Sequence, residues 1–164
     1  MRAVIYTISV ILLTALQTTL INCLQIFGVK PNLLLVFVVC VALLGGSIEG
    51  GMVGLLCGVI ADVVGHGAFG INSLAYLYVG VVVGYLCINF FRGGAIVAIG
   101  FVFGTSIVCG LLYYAFTYLM WGDTNLFLVL LRRIIPETIY NTAITLPIYF
   151  LFKRIDFRLG VRKG

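Results

Sequence analysis

The sequence predicts an all-α polytopic integral membrane protein. Of its 164 residues, 63% are hydrophobic and only 9% are charged, whereas about one quarter of the residues of a soluble domain are charged. The mean hydropathy is +1.23, and the apolar residues form long runs separated by short turns. Because a membrane-crossing helix needs about 20 apolar residues, the chain has room for about six transmembrane helices in a single membrane domain.

The apolar runs set the boundaries of the six predicted spans. These cover residues 3–27, 32–45, 48–64, 71–91, 95–121 and 134–152, and a basic tail follows at 153–164. The second and third spans are short, since the run from Leu33 to Leu44 makes about 18 Å of helix against a hydrocarbon core of about 30 Å. Two interpretations stay open: two short tilted spans, or one re-entrant hairpin that returns to its starting side.

Basic residues predict the orientation of these spans. With both termini in the cytoplasm, seven basic residues lie inside and three lie outside, which agrees with the positive-inside rule. The outer three are Lys30, Arg132 and Arg133. The formal net charge of +5 is concentrated at the C-terminal end. It therefore indicates topology and a contact with membrane lipid, and no nucleic-acid surface.

Glycines recur at every fourth position in the third predicted span, and a shorter series follows in the fourth. Residues four apart form a continuous ridge on a helix, so a ridge of glycines lets another helix backbone approach closely. We predict helix packing at these positions, in preference to a path for substrate. They are Gly46, Gly50, Gly54, Gly58, Gly80 and Gly84.

Two carboxylates lie within the same segment. Thirteen residues separate Glu49 from Asp62, or about 20 Å of helix, so the pair cannot act together in acid–base catalysis. Glu49 is either an acid at a helix start, favoured by the helix dipole, or a packing or partner contact. For Asp62 we predict a structural role, in which it pairs with an arginine or accepts hydrogen bonds from the loop amides that follow.

Four residues of the last predicted span indicate its local structure and contacts. Pro136 suits the first position of a helix, and Glu137 places an acid in its first turn. Asn141 lies within the span and is expected to form hydrogen bonds to another helix. Pro147 is expected to kink the helix.

The sequence contains no recognisable catalytic, metal-binding or phosphate-binding motif. The five cysteines lie in apolar runs without a C-x-x-C pair, and a single histidine, His66, cannot complete a typical zinc set. There is no phosphate-binding loop, no G-x-S-x-G and no H-E-x-x-H. We therefore predict no catalytic, metal or cofactor site, and no enzyme activity.

Four motifs follow one another along the chain. They are Pro31-Asn32-Leu33-Leu34-Leu35, then Gly46-Ser47-Ile48-Glu49-Gly50 with Gly54, Gly58 and Asp62, then Phe69-Gly70-Ile71-Asn72-Ser73-Leu74, and finally Pro136-Glu137-Thr138-Ile139-Tyr140-Asn141 with Pro147. In this order they resemble the rod shape-determining protein MreD family. One departure is Gly45, which stands where that family often has arginine.

The resemblance implies a non-enzymatic scaffold in the inner membrane of a bacterium, within the elongation complex that builds peptidoglycan and sets cell shape. It implies MreC as the direct partner and RodA, a class B penicillin-binding protein and MreB as indirect ones; a homo-oligomer stays open. The MreD fold is similar to that of the substrate-binding subunits of energy-coupling-factor transporters. A vitamin-binding subunit of that kind is therefore the alternative function.

Overall fold

The computed structural model describes residues 2–20, 31–65, 70–90, 94–121 and 134–158. These ranges contain five helices and no strand, which confirms the all-helical class for this part of the chain. The helices are α1 (Arg2–Leu20), α2 (Leu33–Val64), α3 (Ile71–Phe90), α4 (Ala95–Trp121) and α5 (Ile135–Arg158).

Three stretches of the described chain are long and apolar enough to cross a membrane. They are Leu33–Val64, Ile71–Asn89 and Ala95–Phe116, and α1 contains a shorter apolar stretch, Ile5–Thr19. The 32 residues of α2 do not form one rod, however, because the helix reverses direction within its length. Six separate spans therefore stay a prediction.

The second helix is a hairpin with its apex at Gly46. Gly46 has a φ of 87° and a ψ of −171°, a conformation that glycine adopts without the steric cost that a Cβ would add. A Cβ on Gly50 would lie 2.8 Å from the Cα of Ala42, although eight residues of straight helix would hold them about 12 Å apart. We call residues 33–45 the first arm and residues 47–64 the second arm.

The apex of this hairpin lies within the length of α3. A Cβ on Gly84 would lie 2.5 Å from the carbonyl carbon of Gly46, so the two residues are level. From Gly84, α3 continues to Phe90, which adds about 9 Å of helix. A reversal at Gly46 belongs to both interpretations left open by the sequence, so the choice between two short spans and one re-entrant hairpin stays a prediction.

The first arm forms the centre of the bundle. All its residues from Leu33 to Leu43 are buried, none more than 8% exposed, as expected of a helix that is apolar on every side. The Phe37 ring contacts Phe152 of α5 and Tyr6 of α1, at centroid distances of 4.8 and 6.4 Å. The beginning of α1 and the end of α5 therefore lie at the same end of the bundle, an arrangement compatible with both termini on one side of a membrane.

The end of α5 differs from the predicted span limit. α5 continues to Arg158, so the first residues of the predicted basic tail are helical. Lysine and arginine are good helix formers and are favoured near a helix C-terminus, so positive charge does not end a helix. The end of the first predicted span, residues 21–27, and the C-terminal residues 159–164 lie outside the described ranges.

Candidate functional site

The second arm and α3 pack against each other, antiparallel, through glycine. A Cβ on Gly58 would lie 2.8 Å from the backbone nitrogen of Ser73, and one on Gly54 would lie 2.8 Å from the carbonyl carbon of Tyr76. Further along, a Cβ on Gly50 would lie 2.7 Å from the carbonyl oxygen of Gly80. The atoms opposite these glycines belong to backbone, which cannot rotate away as a side chain can. We call this contact the glycine interface.

The six glycines predicted to pack all lie in this interface or at its apex. Gly80 and Gly84 of α3 approach the backbone of the second arm, and the place of a Cβ on Gly46 is occupied by the end of the Ile88 side chain. Two other glycines four residues apart, Gly100 and Gly104 of α4, have open space where a Cβ would be. Spacing alone therefore does not separate packed glycines from exposed ones.

Asp62, at the end of the second arm, caps the beginning of α3. Its carboxylate accepts hydrogen bonds from the backbone N–H groups of Gly70, Asn72 and Ser73, at 2.9, 3.1 and 3.0 Å, and from the Ser73 hydroxyl. Helix N-termini have unpaired N–H groups, and a carboxylate there also interacts favourably with the helix dipole. This is one of the two interactions predicted for Asp62, and Gly70 takes part in it with a φ of 101°.

Glu49 lies near the apex, in the first turn of the second arm. The Tyr6 hydroxyl of α1 donates a hydrogen bond to Glu49 Oε2 at 3.1 Å. Glu49 therefore has a feature of each interpretation. It is an acid at a helix start, and it also contacts another helix. The large distance between Glu49 and Asp62 follows from their places at opposite ends of the second arm.

A buried polar network joins four elements at the beginning of the first arm. The Asn141 side chain of α5 accepts a hydrogen bond from the backbone N–H of Asn32 at 2.7 Å and donates one to the Ser106 hydroxyl of α4 at 3.0 Å. The Asn32 side chain caps the first arm by accepting from the N–H of Leu35, and donates to the hydroxyl of Tyr76 of α3. The predicted bonding of Asn141 to other helices is confirmed.

Sequence reasoning included the loop amides among the two possible partners of Asp62, but it did not identify the side-chain partners in these two polar clusters. Asn32 after Pro31 is a pattern typical of a helix N-cap and could have been recognised. Ser73, Tyr76 and Ser106 carry no such signal, because a hydroxyl within an apolar helix points to a partner only when the neighbouring helix is known.

The remaining predicted residues lie on α5 and take separate positions. Pro136 is the second residue of the helix, one place later than expected, and Glu137 lies in its first turn. The helix continues on both sides of Pro147, so the kink stays a prediction. His66 and Phe69 lie outside the described ranges. Within those ranges, no group of three or more histidine, cysteine or acidic residues could hold a metal ion.

The motifs that carry the resemblance meet in pairs. Asn32 of the first motif is bonded to Asn141 of the fourth, and Asp62 of the second is bonded to Gly70 and Ser73 of the third. No protein-family model, curated protein or solved structure matches the chain. The resemblance to MreD therefore depends on these motif residues.

Proposed function

We propose that this chain is an MreD-like scaffold of the bacterial inner membrane, which binds MreC and through it helps to organise peptidoglycan synthesis and cell shape. The observation that carries the proposal is the pairing of motifs, first with fourth and second with third. The first contact joins residues 109 positions apart, whereas the second joins residues only 8 to 11 positions apart. A chance collection of short matches gives no reason for such pairing.

The outer face of α3 supports binding of a partner helix. Four of its residues share one side of the helix and are 49–65% exposed. We call them the tyrosine seam: Leu74, Tyr78, Val82 and Tyr85. Within the described chain, neither seam hydroxyl forms a hydrogen bond. A hydroxyl facing hydrocarbon without a partner costs several kcal/mol, about 4–8 by transfer to alkane, so a second helix with polar groups is a better neighbour than lipid.

The centre of the bundle supports a scaffold over a vitamin-binding subunit. A binding subunit needs an interior cavity that can enclose most of its ligand, typically about 300–1,000 Å³. In the described part of this chain, the first arm occupies the centre and is buried on all sides. The polar side chains beside it, Asn141 and Ser106, are bonded to each other and not directed at free space.

The test is recovery of partners from the native membrane in mild detergent. We would tag the full chain and identify co-purified proteins and small molecules by mass spectrometry. Two variants, Val82→Trp in the seam and Val108→Trp on α4, add the same bulk at valines that are 49% and 53% exposed. We expect wild type and Val108→Trp to recover MreC together with the cell-wall synthases, and Val82→Trp to lose them.

One other result would contradict the seam as the binding surface, and a second would contradict the scaffold function itself. Equal recovery of MreC by both tryptophan variants would remove the seam as the binding surface. Recovery of an ATPase module with a bound vitamin-sized molecule, in place of MreC, would support the transporter subunit and overturn the scaffold. Because both variants face outward, equal protein levels in the membrane would show that neither acts by preventing folding.

A further inference from the structure

An open cleft lies beside the C-terminal part of α5. Its volume is about 560 Å³, and the described residues that line it are Phe150, Leu151, Lys153 and Arg154. Residues three and four apart share a helix face, so Phe150 lies next to both cations. The cleft therefore has an apolar part, nearer the middle of the helix, and a cationic part, nearer its end.

The two cations of this cleft lie at the surface of the helix. Lys153 and Arg154 are both exposed. The Lys153 ammonium lies 5.7 Å from the centre of the ring of Tyr149, a residue that is only 2% exposed. This contact with a fixed ring limits the positions of the lysine and keeps its charge beside the cleft.

The apolar residues of the cleft are exposed close to its two cations. Phe150 and Leu151 are each 57% exposed and lie within about one helical turn of Lys153 and Arg154. Soluble phosphate compounds would satisfy the cations but leave these side chains without an apolar neighbour. A ligand that joins a phosphate to a hydrocarbon chain satisfies both parts, since lysine and arginine near a membrane surface attract anionic headgroups.

We propose that this cleft binds an anionic phospholipid, with the phosphate at Lys153 and Arg154 and an acyl chain along Phe150 and Leu151. The proposal depends on the membrane location of the chain and on the end of α5 lying at the bilayer surface. It does not depend on MreC, so it can stand or fail separately from the scaffold function.

The test measures lipid binding to the purified full chain in detergent by native mass spectrometry. The probes are phosphatidylglycerol, which is anionic, and phosphatidylcholine of the same acyl chains, which is zwitterionic. Each cation near an anionic headgroup contributes about a fivefold gain in affinity. We therefore expect the double variant Lys153→Gln/Arg154→Gln to bind phosphatidylglycerol about 30-fold more weakly than wild type.

A matched control removes the same charge from the end of the chain. Arg162→Gln/Lys163→Gln is expected to keep phosphatidylglycerol affinity close to that of wild type. Equal weakening by the two double variants would overturn the site, because general attraction by the basic tail would then explain binding. Equal affinity of wild type for both lipids would overturn it as well. Displacement of the lipid by millimolar glycerol phosphate would show a site for a free phosphate compound, contrary to the proposal.

Discussion

Replacing Gly54 by alanine tests whether the glycine interface determines the packing of this bundle. The added methyl group would overlap the carbonyl of Tyr76, with 2.8 Å to its carbon, and would lie 3.3 Å from the Cα of Leu77. Ordinary carbon–carbon contacts are 3.5–4.0 Å, so α3 must move outward by about 1 Å. Overpacking of this kind costs about 1–3 kcal/mol. The upper part of that range applies here because backbone atoms have no alternative rotamer.

Gly104→Ala is the matched control, since nothing lies within 4 Å of a Cβ at Gly104. Both substitutions gain the same helix propensity, about 1 kcal/mol, so the difference between the two variants isolates the steric cost. A difference of about 2–3 kcal/mol corresponds to about 4–12 °C in a chain of this size.

Buried cysteines provide the assay for this comparison. Cys40, Cys57 and Cys87 are buried in the folded protein, so a thiol-reactive fluorophore labels them only as the bundle unfolds on heating in detergent. We expect Gly54→Ala to unfold at a clearly lower temperature than Gly104→Ala. If the two variants unfold at the same temperature, close packing at Gly54 does not contribute to stability, and the argument from the glycine series is wrong.

The polar contacts give two further predictions, measured by the same unfolding assay. Asp62→Asn places an amide NH₂ group where backbone N–H groups now donate, so it should destabilise the fold by about 1–3 kcal/mol. Glu49→Gln keeps an acceptor for the Tyr6 hydroxyl and should cost less. Equal losses of stability in the two variants would remove the special role of Asp62. Asn141→Leu leaves the N–H of Asn32 without its acceptor and should cost about 1–3 kcal/mol. A wild-type unfolding temperature for Asn141→Leu would show that the network does not stabilise the bundle.

Hydropathy alone suffices to predict the helical class and the limits of the central helices to within a few residues. The predicted spans at 71–91 and 95–121 correspond to α3 and α4, because the turns between them contain arginine and glycine, which interrupt an apolar run clearly. The end of α5 differs from its predicted limit because the change from apolar to basic residues marks a change of environment, not the end of a helix.

The arrangement of the helices could be predicted only in part. The glycine series indicates a close contact. For Asp62, in the next place of the series, the sequence left two interactions open, an arginine partner or the backbone amides of the following loop. Two details lie beyond any local pattern. Glycine spacing is the same at Gly50/Gly54 and at Gly100/Gly104, yet only the first pair is covered. The bond between Asn32 and Asn141 joins residues 109 positions apart, and such pairing depends on the whole bundle.

The central position of the first arm has a consequence for the order in which the protein is made. The second arm can find its partner early, because α3 follows it directly in the chain. The capped beginning of the first arm is different, since the acceptor for the Asn32 amide lies on α5, 109 positions later in the chain. An unpaired amide in hydrocarbon is costly, and a short helix cannot lie in lipid by itself. Maturation of the bundle therefore finishes only after the ribosome has completed α5, and a truncated chain that ends before Asn141 leaves the central arm without its closing contact.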